Sequence, residues 1–242
     1  MLRGYVDEVF ISVQGEGPLV GTPMLFVRFG GCAAACDHCD TPRARTRASQ
    51  FIIHGPEAEV VANPVKVAEL TARTEPLLRN LPFLAVTGGE PLEQPGFLSL
   101  LLTRLSETGK RVLLETRGEH HRELAEVLPR VDVIAVDVKL PSFSGKPLPL
   151  AEAKNFLEIA KQRTCYVKVV VGPDTEEAEV LEAARLVAGV RGRIPFVIQP
   201  RHDEKAPPPG ESERLLALTV RLTNMLEDVR LIPQAHRALG LR

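Results

Sequence analysis

The chain has 242 residues, 44% of them hydrophobic, which is enough apolar material for one α/β domain with a buried core. Its 30 Lys and Arg against 31 Asp and Glu leave a formal charge of −1, so neither nucleic acid nor an anionic membrane surface gains an electrostatic argument as partner. Small-molecule chemistry is the class that remains. Asp7 and Glu8 follow the first residues with no basic-then-apolar leader, and no later stretch is apolar for long enough to span a bilayer, so a cytoplasmic, membrane-free setting is expected.

In chain order, apolar β-branched runs alternate with helix-length amphipathic stretches. Strands are expected at 24–29, 83–87, 111–115, 133–137, 166–171 and 196–199, and helices at 65–79, 97–108, 122–128, 151–162, 175–188 and 211–226. This alternation is the pattern of repeated βα units on a largely parallel sheet. Six such units in a chain shorter than the ~250 residues of a closed eight-unit barrel predict an α/β fold of one domain, 1–242: an open, partial βα barrel with about six parallel strands. The segment 202–210, with Pro207, Pro208 and Pro209, reads as an extended loop, because too little chain follows it to build a second core. The basic stretch Arg43, Arg45, Arg47 reads equally as a solvated turn or as a neighbour of an anionic ligand.

Polar residues stand at the ends of the expected strands: Thr87-Gly88-Gly89-Glu90, Glu115-Thr116, Asp137 with Lys139, and Gln199. In βα barrels that end of the strands carries the active site. Three of the four cysteines crowd into Cys32, Cys36 and Cys39, directly after the first expected strand. Such spacing is a poor disulfide framework and a good metal-site pattern. Three thiolates in one loop can hold three irons of a cubane cluster and leave the fourth open, whereas ferredoxin motifs supply four cysteines. Zinc on the same cysteines plus His38 is the alternative, although His38 and Cys39 are too close in sequence to share one tetrahedral ion easily. Cys165 precedes the apolar run 166–171 and is expected in the core.

Cys32-x-x-x-Cys36-x-x-Cys39, followed one unit later by Gly88-Gly89-Glu90-Pro91, resembles the signature of radical S-adenosylmethionine (SAM) enzymes. Within them, Glu8-Val9-Phe10 leading to Val13-Gln14-Gly15-Glu16-Gly17, Arg28 before Gly30-Gly31-Cys32, Cys39-Asp40-Thr41, and Pro233-Gln234-x-His236 resemble 7-carboxy-7-deazaguanine synthases. The resemblance implies a radical SAM-type barrel, a [4Fe-4S] cluster, SAM and Mg²⁺. It implies a radical ring contraction of 6-carboxy-5,6,7,8-tetrahydropterin to 7-carboxy-7-deazaguanine with loss of ammonia, on the route to queuosine. A 5′-deoxyadenosyl radical would begin that reaction.

The implied substrate contacts are Val13, Gln14, Gly15, Glu16, Arg28, Thr87, His236 and Arg242. His38, Asp40, Gly89, Glu115, Asp137, Val138, Lys139 and Gln199 would serve SAM, and Thr41 would ligate Mg²⁺. A flavodoxin or ferredoxin donor and a homodimer are implied by analogy. These residues also suit the chemistry directly. Arg28 offers a planar fork for a carboxylate, and Gln14 and Glu16 offer donors and acceptors for the edge of a heterocycle. Two departures from the family pattern stand out: Asp137-Val138-Lys139 replaces Ser-Pro-Lys, and Arg117 follows Glu115-Thr116 where Asn or Gln is usual. Because Asp-Val-Lys resembles glycyl-radical activating enzymes, two competing readings remain at this point: an activase acting on a protein, and a zinc-stabilised protein without catalysis.

Overall fold

The computed structural model describes residues 2–34, 36–202 and 208–242. The chain opens with a two-residue strand β1 (Arg3–Gly4) and continues into β2 (Val6–Val13), which turns back antiparallel onto β3 (Pro23–Phe29). After the cysteine loop come the hairpin strands β4 (Gln50–Ile53) and β5 (Glu59–Ala62), then β6 (Val65–Lys66), which pairs with β1. From there βα units follow one another: α1 (Val67–Leu78), β7 (Phe83–Gly88), α2 (Pro95–Ser106), β8 (Arg111–Thr116), α3 (His121–Val127) and β9 (Val133–Asp137). The short α4 (Pro141–Ser144) leads to α5 (Leu150–Ala160), β10 (Thr164–Val171), α6 (Glu177–Ala188), β11 (Phe196–Pro200), α7 (Glu211–Leu222), β12 (Val229–Leu231) and α8 (Ala235–Ala238).

The main sheet runs β12-β11-β10-β9-β8-β7-β3-β2-β4-β5, and every pairing from β3 to β12 is parallel. It does not close on itself, so the expected open barrel is present, with seven parallel strands in place of about six. The seventh, β12, has three residues, too few to show a period. The sheet also continues on its other side through β2, β4 and β5, which the βα pattern does not announce because antiparallel hairpins carry no intervening helix. The proline-rich stretch expected as a loop lies partly outside the described residues.

Strand alternation explains where the site lies. Leu25, Val27 and Phe29 of β3 join the core between sheet and helices, while Met24 and Phe26 face the other side. On that second face each strand repeats one theme, apolar residues below and a polar residue above. Thus Phe83 and Ala85 precede Thr87, Leu113 precedes Glu115, Val133 and Ala135 precede Asp137, Tyr166 precedes Lys168, and Val197 precedes Gln199. The apolar layer fills the inside of the curved sheet up to its carboxyl end, and the polar residues form its ceiling. The helices seal the opposite face. On α2, Leu98, Leu101, Leu102 and Leu105 are all buried at helical spacing, each contributing roughly 1.5–3 kcal/mol of apolar burial.

Candidate active site

A cavity of about 310 Å³ opens above this polar ceiling. Its walls include Cys32, Cys36, Cys39, Asp40 and Thr41 from the loop after β3, Val13 to Glu16 from the end of β2, Arg28, Thr87, Gly89, Glu115, Asp137 and Lys139 from the parallel strands, and His236 and Arg242 from the last segment. Three expected site residues stand off the walls. His38 points outward, with Nε2 3.6 Å from Asp174. Val138 is buried, and its amide donates to Lys168 O at 3.0 Å. Gln199 is buried beneath Glu16 and donates to Glu16 Oε1 at 3.1 Å. It therefore acts on the wall from behind.

The Gly-Gly-Glu turn is built into the cysteine loop. Gly89 N donates to Phe29 O and Glu90 N to Gly31 O, both at 2.9 Å. A Cβ added at Gly89 would lie 2.2 Å from Gly31 O and 2.6 Å from Ala44 O, so only glycine allows the two backbones to meet. Glu90 is buried below them and accepts from Thr116 Oγ1 at 2.9 Å, Arg117 N at 3.0 Å and Leu92 N at 3.1 Å. Burial raises its pKa although these bonds pull the other way. Its carboxylate ties the end of β8 to the turn after β7, while its backbone amide ties that turn to the start of the loop that bears the cysteines.

Lys168, which the sequence reading passed over, is the centre of the ceiling. Its buried ammonium pairs with Glu16 and stands 3.0 Å from Asp137 Oδ2, which also meets Lys139 at 2.9 Å. Burial would raise the Asp137 pKa, but Lys139 and Lys168 outweigh it and hold the carboxyl at about 2. Burial likewise works against the Lys168 charge, yet Asp137, Glu16 and Glu115 drive its pKa well above the ordinary value. Glu16 is further fixed by Gln234, whose amide donates to Oε1 at 2.7 Å. Beside it, Glu115 accepts from Gln14 Nε2 at 2.8 Å and Thr87 Oγ1 at 2.6 Å. Its pKa is raised by burial and by the Glu16 charge. On the β2–β3 side, Arg28 Nε donates to Glu8 Oε1 at 3.0 Å, and its NH1 lies 3.5 Å from Thr41 Oγ1. Gly15 underlies His236 so closely that an added Cβ would fall 1.7 Å from Nδ1. Burial lowers the His236 pKa, which favours the neutral imidazole.

The donor set suits a thiolate-held cluster and a polar cosubstrate. All four cysteines are free, and Cys32, Cys36 and Cys39 are partly buried around the cavity while Cys165 lies in the core, as expected. Burial raises the pKa of Cys32 and Cys36, so the thiolates are held best when metal replaces the proton. Asp137 Oδ1 is buried with no hydrogen-bond partner within the protein. Such an oxygen on a cavity wall suits a ligand donor.

Residues 26–187 match the Radical SAM superfamily. The chain is 40% identical to a 7-carboxy-7-deazaguanine synthase of Geobacter sulfurreducens, the alignment covering 97% of this chain and 96% of the relative. It is 33% identical to a synthase of the same name from Methanothermobacter thermautotrophicus, covering 100% and 99%. The fold is similar to the crystal structure of QueE from Escherichia coli, with TM-score 0.65, 21% identity, and 98% and 96% of the two chains covered. These relatives displace both the glycyl-radical activase and the zinc-stabilised readings. With the cysteine loop, the glycine turn and the polar ceiling brought around one cavity, the chain belongs to the radical SAM superfamily and, within it, to the 7-carboxy-7-deazaguanine synthases, whose chemistry uses a [4Fe-4S] cluster and SAM.

Proposed function

We propose that the chain converts 6-carboxy-5,6,7,8-tetrahydropterin to 7-carboxy-7-deazaguanine with loss of ammonia. The observation that carries this reading is the convergence of Gln14, Glu16 and Arg28 on the cavity that the three cysteines line. Cys32, Cys36 and Cys39 would hold the cluster, and together with SAM it supplies, when bound, the radical that removes a hydrogen atom from the substrate.

The chain's own residues bind and orient. Glu16, paired with the Lys168 ammonium, offers carboxylate oxygens to the ring-edge N–H groups of a pterin, while Gln14 presents an amide beside it. Arg28 is committed to Glu8 through Nε, which leaves terminal nitrogens for a carboxylate. The free oxygen of Asp137 would accept from a hydroxyl or ammonium of SAM, and Asp40, Gly89, Glu115 and Lys139 would complete that side. Thr41 would offer its hydroxyl to Mg²⁺, a hard ion that prefers oxygen. The stacked rings of Phe10 and Phe26, centroids 5.0 Å apart, form an apolar wall that excludes water.

A flavodoxin or ferredoxin as electron donor, a homodimer and a cytoplasmic setting belong to the same reading, the last supported by free thiols that need a reducing compartment. Among the described residues no helix is long and apolar enough to cross a membrane. Arg28→Ala tests the substrate assignment. Loss of a charge-assisted pair of about 1.5–3 kcal/mol weakens binding of the carboxylated pterin by about one to two decades, with SAM affinity unchanged. Equal weakening of both ligands, or of neither, would refute the role.

A further inference from the structure

Glu8 enters the binding scheme above only as the partner of Arg28 Nε, yet its nearly buried side chain gathers groups from four separate places. Arg28 Nε of β3 donates to Oε1 at 3.0 Å. Around Oε2 stand Arg43 NH2 at 3.1 Å, His54 Nε2 at 3.1 Å and Arg242 NH1 at 3.0 Å. Arg43 lies in the turn Pro42–Arg45 immediately after Thr41, and His54 follows β4. Ser12 Oγ, also on β2, donates to Arg242 O at 2.7 Å, so Arg242 is held at both its side chain and its backbone.

Three guanidinium groups crowd this cluster. Arg28, Arg43 and Arg242 face the carboxylates of Glu8 and of Asp7, which meets Arg43 Nε at 2.9 Å. Of the three arginines, Arg28 and Arg242 line the cavity, as does Glu8 itself. Arg28 is also fixed in plane, its guanidinium carbon 5.4 Å from the centroid of Phe10. A rigid fork on the cavity wall with its Nε occupied suits a planar anion.

We infer that Glu8 is a positioning residue that orients Arg28 and anchors Arg242 beside it, and that selectivity for the substrate's carboxylate depends on Glu8 through Arg28. This rests on the substrate reading given above. A pairing role confined to stability would affect all ligands alike, whereas orientation of Arg28 affects only ligands that carry the anion.

The test compares reconstituted wild type, Glu8→Gln and Glu8→Asp, each with SAM. Binding is measured for 6-carboxytetrahydropterin and for tetrahydropterin without the carboxylate. Glu8→Gln keeps the size and loses the charge. It should weaken the carboxylated ligand about tenfold, the span between a charge-assisted and a neutral hydrogen bond, and leave the uncarboxylated ligand and SAM unchanged. Glu8→Asp, which keeps the charge, should recover part of the loss. Equal effects on both pterins, or none on either, would overturn the inference while leaving the functional reading intact. A wild type that binds neither pterin would remove the functional reading and this inference with it.

Discussion

Replacing Lys168 with methionine removes the cation on which the polar ceiling depends. The side chain is 9% exposed and pairs with Glu16 and, at 3.0 Å, with Asp137. Asp137 keeps a second cation, Lys139 at 2.9 Å. Glu16 keeps only amide donors, from Gln199 at 3.1 Å and Gln234 at 2.7 Å. Removing one member of a buried pair costs about 3–5 kcal/mol, and the surviving partners place this variant near the lower end, about 3 kcal/mol. Urea unfolding of the metal-free protein at pH 7 measures it, with the m-value expected unchanged. The same reasoning expects Lys168→Met with Glu16→Gln to be more stable than Lys168→Met alone, because the stranded charge is gone, by roughly 1–3 kcal/mol of coupling. A loss below about 1 kcal/mol, or a double variant no better than the single one, would refute the view that Lys168 compensates Glu16.

Acid stability depends on Asp137. Its carboxyl is a stronger acid folded than its ordinary value of 3.8, at about 2, so its contribution is fully present above about pH 4 and is lost as pH falls through 2. That contribution is about 2 kcal/mol at 1.36 kcal/mol per unit, and Asp137→Asn should flatten the acid limb of the stability curve. An unchanged limb contradicts the assignment. Cys32→Ala, Cys36→Ala and Cys39→Ala should each lose bound iron and sulfide on reconstitution, since no other free thiol lines the cavity among the described residues, whereas Cys165→Ala should retain them. Iron retention that depends on Cys165 would be the contrary result. Thr41→Ala should keep the cluster and lose the stimulation of turnover by Mg²⁺; an undiminished response would leave Thr41 as a turn hydroxyl before Pro42.

Six of the seven parallel strands were legible from their apolar runs, most of which end in a polar residue at the carboxyl end, as in Val133 to Asp137. The cysteine loop and Thr87-Gly88-Gly89-Glu90 were legible because close backbone approach and thiolate chemistry restrict residue choice strongly. Lys168 was not, since it sits inside the apolar run Tyr166–Val171 and only the register that sets it opposite Asp137 reveals its partner. The role of Glu8 was hidden for a similar reason: its partners Arg28, Arg43, His54 and Arg242 are spread through the chain, and no local spacing links them. Gln199 was correctly marked as a polar strand end, but which way its contact runs, to Glu16 from behind the cavity wall, depends on the turn that carries Glu16 inward. The basic stretch resolves into separate fates: Arg43 pairs with Asp7 and Glu8, Arg45 reaches the cavity wall, and Arg47 lies 5.4 Å over the Tyr5 ring.

The most direct measurement is turnover. Anaerobically reconstituted protein, supplied with SAM, a low-potential reductant, Mg²⁺ and 6-carboxy-5,6,7,8-tetrahydropterin, is expected to yield 7-carboxy-7-deazaguanine and ammonia in equal amounts, followed by mass spectrometry and an ammonia assay. Cleavage of SAM at an unchanged rate with or without the pterin, and with no deazaguanine formed, would contradict the account.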